Sequence, residues 1–385
     1  MNKSIYYFFC LLVPLIVFFL YIFSGYITYS DFRVFYTSGD MVRHGMAVDL
    51  YNLSTQNYWQ RSLFAGIPFQ TVLVFFNPPF VALGYVLFSF LSPLIGYSVL
   101  LCINIVILLV CLRFVFSNID RKKWPFFGIF VFFYQPLLVT LIQGQNTPLL
   151  FLGMIVSWGL FKKHKSFWAG VAIGLLAIKP QLLLFPLLLF LWKRQWRALA
   201  GLGLALSIFL CISVSLVGIS GLIAYGRFLL LSTSFGGQYG IHPEYEPTIR
   251  GFLQLIFLTR SLPAILLPLF IGIAGMIGVF FWRFRGKWEP RTTKFDKQWG
   301  VLIWVIILTS LHTNDYELTL LLFPILMWLN TIKSTKRLYL AGGIIDVVLF
   351  PFYIYTSALV PFFVVLLILL LKSFPHETKK IVLDS

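Results

Sequence analysis

The chain has 385 residues, of which 59% are hydrophobic and only 11% charged, and a formal net charge of +17. Apolar runs near membrane-spanning length recur along it, which excludes a soluble globular enzyme. The basic residues stand in short clusters between those runs, a pattern that speaks for membrane topology and against nucleic acid as a partner.

The first apolar run covers 5–23. No A-x-A-like cleavage site follows it, so it is expected to remain as an anchor. Next comes Tyr29-Ser30-Asp31-Phe32-Arg33-Val34-Phe35-Tyr36, then Asp40, Gly45 and Leu50-Tyr51-Asn52. Asp31 thus sits just outside a membrane helix, where ionisable groups are costly and usually functional. Phe32, Phe35, Tyr36 and Val42 also fit a helical stripe, so Asp31 reads equally well as a helix N-cap.

Asn77-Pro78-Pro79 opens an apolar piece, 78–91, that is short for a span and suits an interfacial helix. Spans are expected near 94–116, 125–141, 148–161, 167–178, 181–192, 198–217, 262–282, 299–311, 316–331, 337–355 and 358–372. With the first run they make about twelve. The pieces 167–178 and 181–192 are short and meet at Lys179-Pro180-Gln181, where proline interrupts a helix. If 78–91 does not cross, 23 of the 30 basic residues fall on one side and 7 on the other. The positive-inside rule then puts both termini in the cytoplasm of a multi-pass plasma-membrane protein. The expected fold is an all-α integral-membrane bundle, one polytopic domain over 1–385. Its first outer loop, 24–93, is expected to hold juxtamembrane helices, and a second outer loop to span 218–261. Cys10, Cys102, Cys111 and Cys211 lie inside apolar runs and read as packing residues.

This topology gathers the polar residues on the outer face. They are Asp31, Asp40, His44 and Asp49, then Gln143-Gly144-Gln145-Asn146, Lys179-Pro180-Gln181 and Gly236-Gly237-Gln238-Tyr239. Glu244, Glu246 and Arg250 follow, and finally His312-Thr313-Asn314-Asp315-Tyr316-Glu317. A sugar on a lipid phosphate would keep its tail among the helices and its head at that surface. Transfer needs a base for the acceptor hydroxyl and cations or donors for the departing phosphate. Asp31 suits the base, and Lys179, Arg250 and His312 suit the phosphate. Gln143, Gln145 and Asn146 suit sugar hydroxyls, with Gln181 beside Lys179 in the substrate-binding set. One base implies inversion. A leaving group with one phosphate implies no obligatory metal, and no other cofactor is called for.

Each residue also has a plainer reading. Lys179 can snorkel to the interface, Gln143 to Asn146 can form an ordinary capped turn, and His312 can be an interhelical histidine. Arg250 can be an interfacial anchor. Glu244 and Glu246 read as solvated, and Asp346 lies within a span without an evident role. The alternative function is a transporter or flippase of lipid-linked glycans, which predicts charged residues along a path through several spans.

Several of these segments resemble glycosyltransferase family 87, whose members belong to the GT-C superfold and use polyprenyl-phosphate mannose. The first is Asp31-Phe32-Arg33-Val34-Phe35-Tyr36 with Gly45 and Leu50-Tyr51. Asn77-Pro78-Pro79-Phe80, Gln143-Gly144-Gln145-Asn146, Ala169-Gly170 through Lys179-Pro180-Gln181, Lys193-Arg194-Gln195-Trp196 and His312 to Leu318 follow in matching order. The resemblance implies a GT-C-type bundle, a polyprenyl-phosphate sugar donor, a lipid or glycan acceptor, Asp31 as catalytic base and His312 as a late catalytic histidine. His312-Thr313-Asn314-Asp315-Tyr316 departs from the Ser-Pro-x-x-x-x-His form of many members.

Overall fold

A computed structural model describes residues 31–65, 72–232, 235, 237–239 and 241–349, with side chains to 345. The runs 5–23 and 358–372, Cys10 and the side chain of Asp346 lie outside the described residues. Among the described residues every regular element is helical.

Three helices fill the first loop: α1 (Phe32–Arg43), α2 (Leu53–Leu63) and α3 (Pro79–Ser89). Asn52 caps α2, its Oδ1 accepting from the amides of Ser54 (3.0 Å) and Thr55 (3.1 Å). Pro79 opens α3 at its first turn, where the missing N–H costs nothing. Helices α1 and α3 touch backbone to backbone: a Cβ on Gly39 would lie 2.5 Å from the Tyr85 carbonyl. Phe35 stacks on Tyr85 beside that contact, with ring centroids 4.8 Å apart.

Helix α4 (Pro93–Phe116) has two faces. Tyr97, Leu100, Leu101, Asn104, Leu108, Cys111 and Val115 are buried, while Val99, Ile103, Val106 and Val110 are exposed. That stripe is apolar as far as Val110, as a helix face turned to lipid requires, and the exposed Arg113 ends it in the last turn. Helices α5 (Trp124–Phe133) and α6 (Gln135–Ile142) are bent by 50°. Tyr134 leaves helical geometry there (φ −68°, ψ 94°), and Pro136, with no N–H to give the Phe132 carbonyl, cannot continue the α5 ladder.

Helix α7 (Thr147–Lys162) and helix α8 (Ser166–Ile173) follow, and α8 tightens into a 3-10 turn, Gly174–Ile178. Pro180 forces Lys179 out of the helical region (φ −129°, ψ 87°), and the chain restarts as α9 (Leu184–Trp192). The expected break at Lys179-Pro180 is present. Helix α10 (Trp196–Ser232) packs closely on α8: a Cβ on Gly170 would meet the Ala198 carbonyl oxygen at 1.8 Å, and one on Gly201 the Phe167 carbonyl oxygen at 1.9 Å. Its backbone breaks at Gly218 (φ 66°, ψ −179°). The loop expected from 218 is therefore helical as far as Ser232, since the break ends one helical axis and begins another.

The rest comprises α11 (Ile249–Ile256), α12 (Leu262–Phe284), α13 (Thr293–Thr309), α14 (Leu322–Leu329) and α15 (Thr335–Leu349). By length and composition three described helices can cross a membrane: α4, α10 and α12. The bent pair α5–α6 adds a fourth if it is one span. Among the described residues the other expected spans are shorter apolar helices or pieces joined at breaks, so these residues carry fewer full-length crossings than the sequence pattern predicts.

The bundle has two chemically distinct ends. Helix α7 starts beside Gln145 and Asn146 and finishes at Lys162, whose ammonium pairs with Asp296 at 3.0 Å. Its 16 residues separate these ends by about 24 Å at 1.5 Å per residue. At the basic end Lys123 donates to the Ile332 carbonyl at 2.9 Å, and Lys193 to that of Gly286 at 2.8 Å. Lys123, Lys162 and Lys193 thus gather at helix termini of one end, and Asp31, Asn146 and Glu317 at those of the other.

Candidate active site

At that second end, helix termini converge on one cavity. Its lining includes Asp31, Asn77, Gln145, Lys179, Gln181, Tyr239, His312, Asn314 and Tyr316, with Phe35, Phe76, Ile178 and Ile241 as apolar walls.

Asp31 stands at the N-cap position of α1, yet its side chain makes no cap hydrogen bond. Gln143 does that work instead. Its side-chain Oε1 accepts from the Asp31 amide at 3.3 Å, and its carbonyl accepts from the Phe32 amide at 2.9 Å. The Asp31 carboxylate is left to accept from the Gln145 side-chain amide. Gly144, at φ 64°, turns the chain between these two glutamines, and a Cβ there would strike the Phe32 Cβ at 2.8 Å. Burial pushes the Asp31 carboxyl above the ordinary carboxylate range. The Gln145 hydrogen bond, then the charges of Lys179 and Arg33, then the Tyr316 hydroxyl pull it back.

Lys179, on the break between α8 and α9, pairs with Glu317 and lies over the Tyr316 ring at 4.7 Å. Glu317 is fully buried, and its second oxygen accepts from the Asn314 amide at 2.7 Å. Asn314 and Glu317 thereby form a capping box at the 3-10 turn Asp315–Leu321. His312, just before it, bonds through Nδ1 to Glu246 Oε1 at 2.6 Å. Gln181 donates to the His312 carbonyl at 3.0 Å.

Residues 75–310 match the model of glycosyltransferase family 87. The chain belongs to this family. It is a glycosyltransferase, and its long apolar helices are those of a membrane protein. No curated protein and no solved structure matches the chain. The family match covers Gln145, Lys179 and Gln181 and stops short of both Asp31 and His312.

Of the residues expected from sequence, Asp31, Gln145, Lys179, Gln181 and His312 meet in the cavity. Gln143 supports it from behind. Asn146 is buried and accepts from the Tyr85 hydroxyl, and Arg250 donates to the Leu311 carbonyl at 2.8 Å. Neither of them lines the cavity. Asp40, on the far side of α1, is buried against Arg43 (2.5 Å) and Trp59 (2.8 Å). Glu244 and Glu246, expected to be solvated, are both buried. Arg260 holds Glu244 at 2.7 Å and His312 holds Glu246, so each carboxylate exchanges water for a basic partner. The sequence places Asn314, Tyr316 and Glu317 in the outer polar set and Asn77 at the head of the 78–91 piece, but assigns none of them a role. The Asn314-x-x-Glu317 spacing ahead of an apolar run is the signal that marks Glu317.

Proposed function

We propose that this family 87 enzyme moves a hexose, mannose in our reading, from a polyprenyl-phosphate donor to a lipid or glycan acceptor. The reaction runs at the outer membrane face within a GT-C-type bundle. The observation that carries this reading is the meeting of Asp31, Lys179 and His312 in one cavity at the acidic end of the bundle.

Asp31 accepts the proton of the acceptor hydroxyl. The hydroxyl oxygen attacks the anomeric carbon from the face opposite the phosphate. The bond from that carbon to the phosphate oxygen breaks, and its electron pair leaves on the phosphate. Lys179 and His312 stabilise the charge that develops there. Gln145 and Gln181 lie where donor hydroxyl groups can be bound. A single carboxylate at the reacting centre inverts the anomeric configuration. The bundle's other end carries the basic clusters, which supports a cytoplasmic assignment for that end and an outer assignment for the cavity.

Purified protein incubated with radiolabelled polyprenyl-phosphate sugars and a membrane lipid extract tests the reading. Label transferred from the mannosyl donor to a lipid or glycan product is the expected result. Transfer from a nucleotide sugar alone would refute the donor class.

A further inference from the structure

We propose that Glu246 is a positioning residue for His312, acting on the departing phosphate through the imidazole; this rests on the transfer reaction proposed above. The pair is built across 66 residues of chain, with Glu246 Oε1 and His312 Nδ1 at 2.6 Å. The Glu246 side chain is 1% exposed, whereas that of His312 is 34% exposed and lines the cavity. One member is therefore an enclosed support and the other faces the ligand space.

Both backbones are fixed. Arg250 donates to the Leu311 carbonyl at 2.8 Å, and Gln181 to the His312 carbonyl at 3.0 Å. On the other side, Gly251 in the first turn of α11 rests directly on the Glu246 carbonyl. A Cβ there would lie 2.1 Å from that oxygen and 2.7 Å from the Pro243 oxygen. The Thr248 amide closes the turn onto the Glu246 carbonyl at 2.8 Å. A buried carboxylate is costly unless a donor or cation meets it, and His312 meets this one.

The chemistry follows from which nitrogen is engaged. An ionised carboxylate only accepts, so Nδ1 carries the hydrogen in this pair. Nε2 is then the ring nitrogen left to serve a ligand. A proton carried at Nε2 is donated to a phosphate oxygen while Nδ1 stays on the carboxylate, so the ring meets the phosphate in one fixed orientation. Glu246 touches neither donor nor acceptor in this scheme. It sets the ring's orientation and holds the hydrogen at Nδ1.

The test uses the full chain labelled with 15N-histidine, with the His312 resonances assigned by their loss in His312→Gln. Wild-type protein is expected to show a His312 ring protonated at Nδ1, and Glu246→Gln to shift that signal. A neutral ring protonated only at Nε2 in wild type would overturn the proposal, even if Glu246→Gln failed to fold. In transfer from polyprenyl-phosphate mannose, Glu246→Gln is expected to lower kcat roughly 10- to 100-fold, the range for partners that orient a ligating histidine. The double variant should lose no more activity than His312→Gln alone. Fully additive losses would overturn it. A wild type that fails to use the mannosyl donor refutes the donor reading, and the nitrogen spectra decide on Glu246 independently of that outcome.

Discussion

Gln145 donates its side-chain amide to the Asp31 carboxylate across 114 residues of sequence. The same turn, through Gln143, holds the first amides of the helix that Asp31 begins. One loop therefore both starts α1 and aims its leading carboxylate. A hydrogen bond to a charged group contributes about 1.5–3 kcal/mol. Gln145→Leu is expected to reduce turnover by roughly 10- to 100-fold while α1 stays folded, as checked by circular dichroism and steady-state kinetics.

The same bond sets a pH dependence. Asp31 acts as a base only when ionised, and burial raises its carboxyl above the ordinary value of 3.8. The acid limb of kcat/KM should therefore lie above that of an exposed aspartate. Gln145 favours the ionised form, so Gln145→Leu should move the limb to higher pH. A limb that moves to lower pH in this variant would contradict the assignment.

Asp31 should also cost stability. A carboxyl whose folded value is raised adds stability below its unfolded value and loses it as pH rises through the folded one. At neutral pH the ionised group therefore opposes folding. With no cap hydrogen bond to lose, Asp31→Asn is expected to melt no lower than wild type at pH 7. A clear drop in melting temperature would restore a structural role.

Lys179 and Glu317 form a buried pair, with side chains 12% and 0% exposed. Removing one partner from such a pair costs about 3–5 kcal/mol, because the other charge is stranded. Lys179→Gln should therefore lower the unfolding midpoint. Adding Glu317→Gln should recover most of the loss. If Lys179 also serves the donor phosphate, transfer stays low in the double variant despite its recovered stability. Recovery of activity along with stability would leave Lys179 a structural role alone.

The two ends of the bundle predict sidedness. Ser54 and Ser334 are both exposed, in the first loop and just before α15 respectively. In intact cells a cysteine at Ser54 should react with an impermeant thiol reagent, and one at Ser334 should not. The reverse pattern would invert the topology.

Much of this arrangement was legible in the sequence. Uninterrupted apolar runs mark α4 and α12, and Pro180 marks the break that carries Lys179. Polar residues at helix termini gave most of the cavity. What escaped were groups whose partners are remote. Nothing local to Glu246 signals burial, since its partner lies 66 residues on. Glu317 carried a local signal in its spacing from Asn314, but its pairing with Lys179, 138 residues away, did not. Arg250 has the charge of a phosphate ligand, yet it is held on a backbone carbonyl that only the packed structure supplies. The helical arm to Ser232 was missed because Gly218 reads as an end of helix, whereas here it redirects one.

The central claim is that Asp31 is the general base. The most direct measurement compares sugar transfer by wild type, Asp31→Asn and Asp49→Asn at equal amounts of folded protein. Asparagine keeps the side-chain shape at Asp31 and removes its basicity. Asp49, partly exposed and away from the cavity lining, serves as the control. The account predicts a loss of roughly 10²–10⁴-fold for Asp31→Asn and near-normal turnover for Asp49→Asn. Near-normal turnover by Asp31→Asn would contradict it.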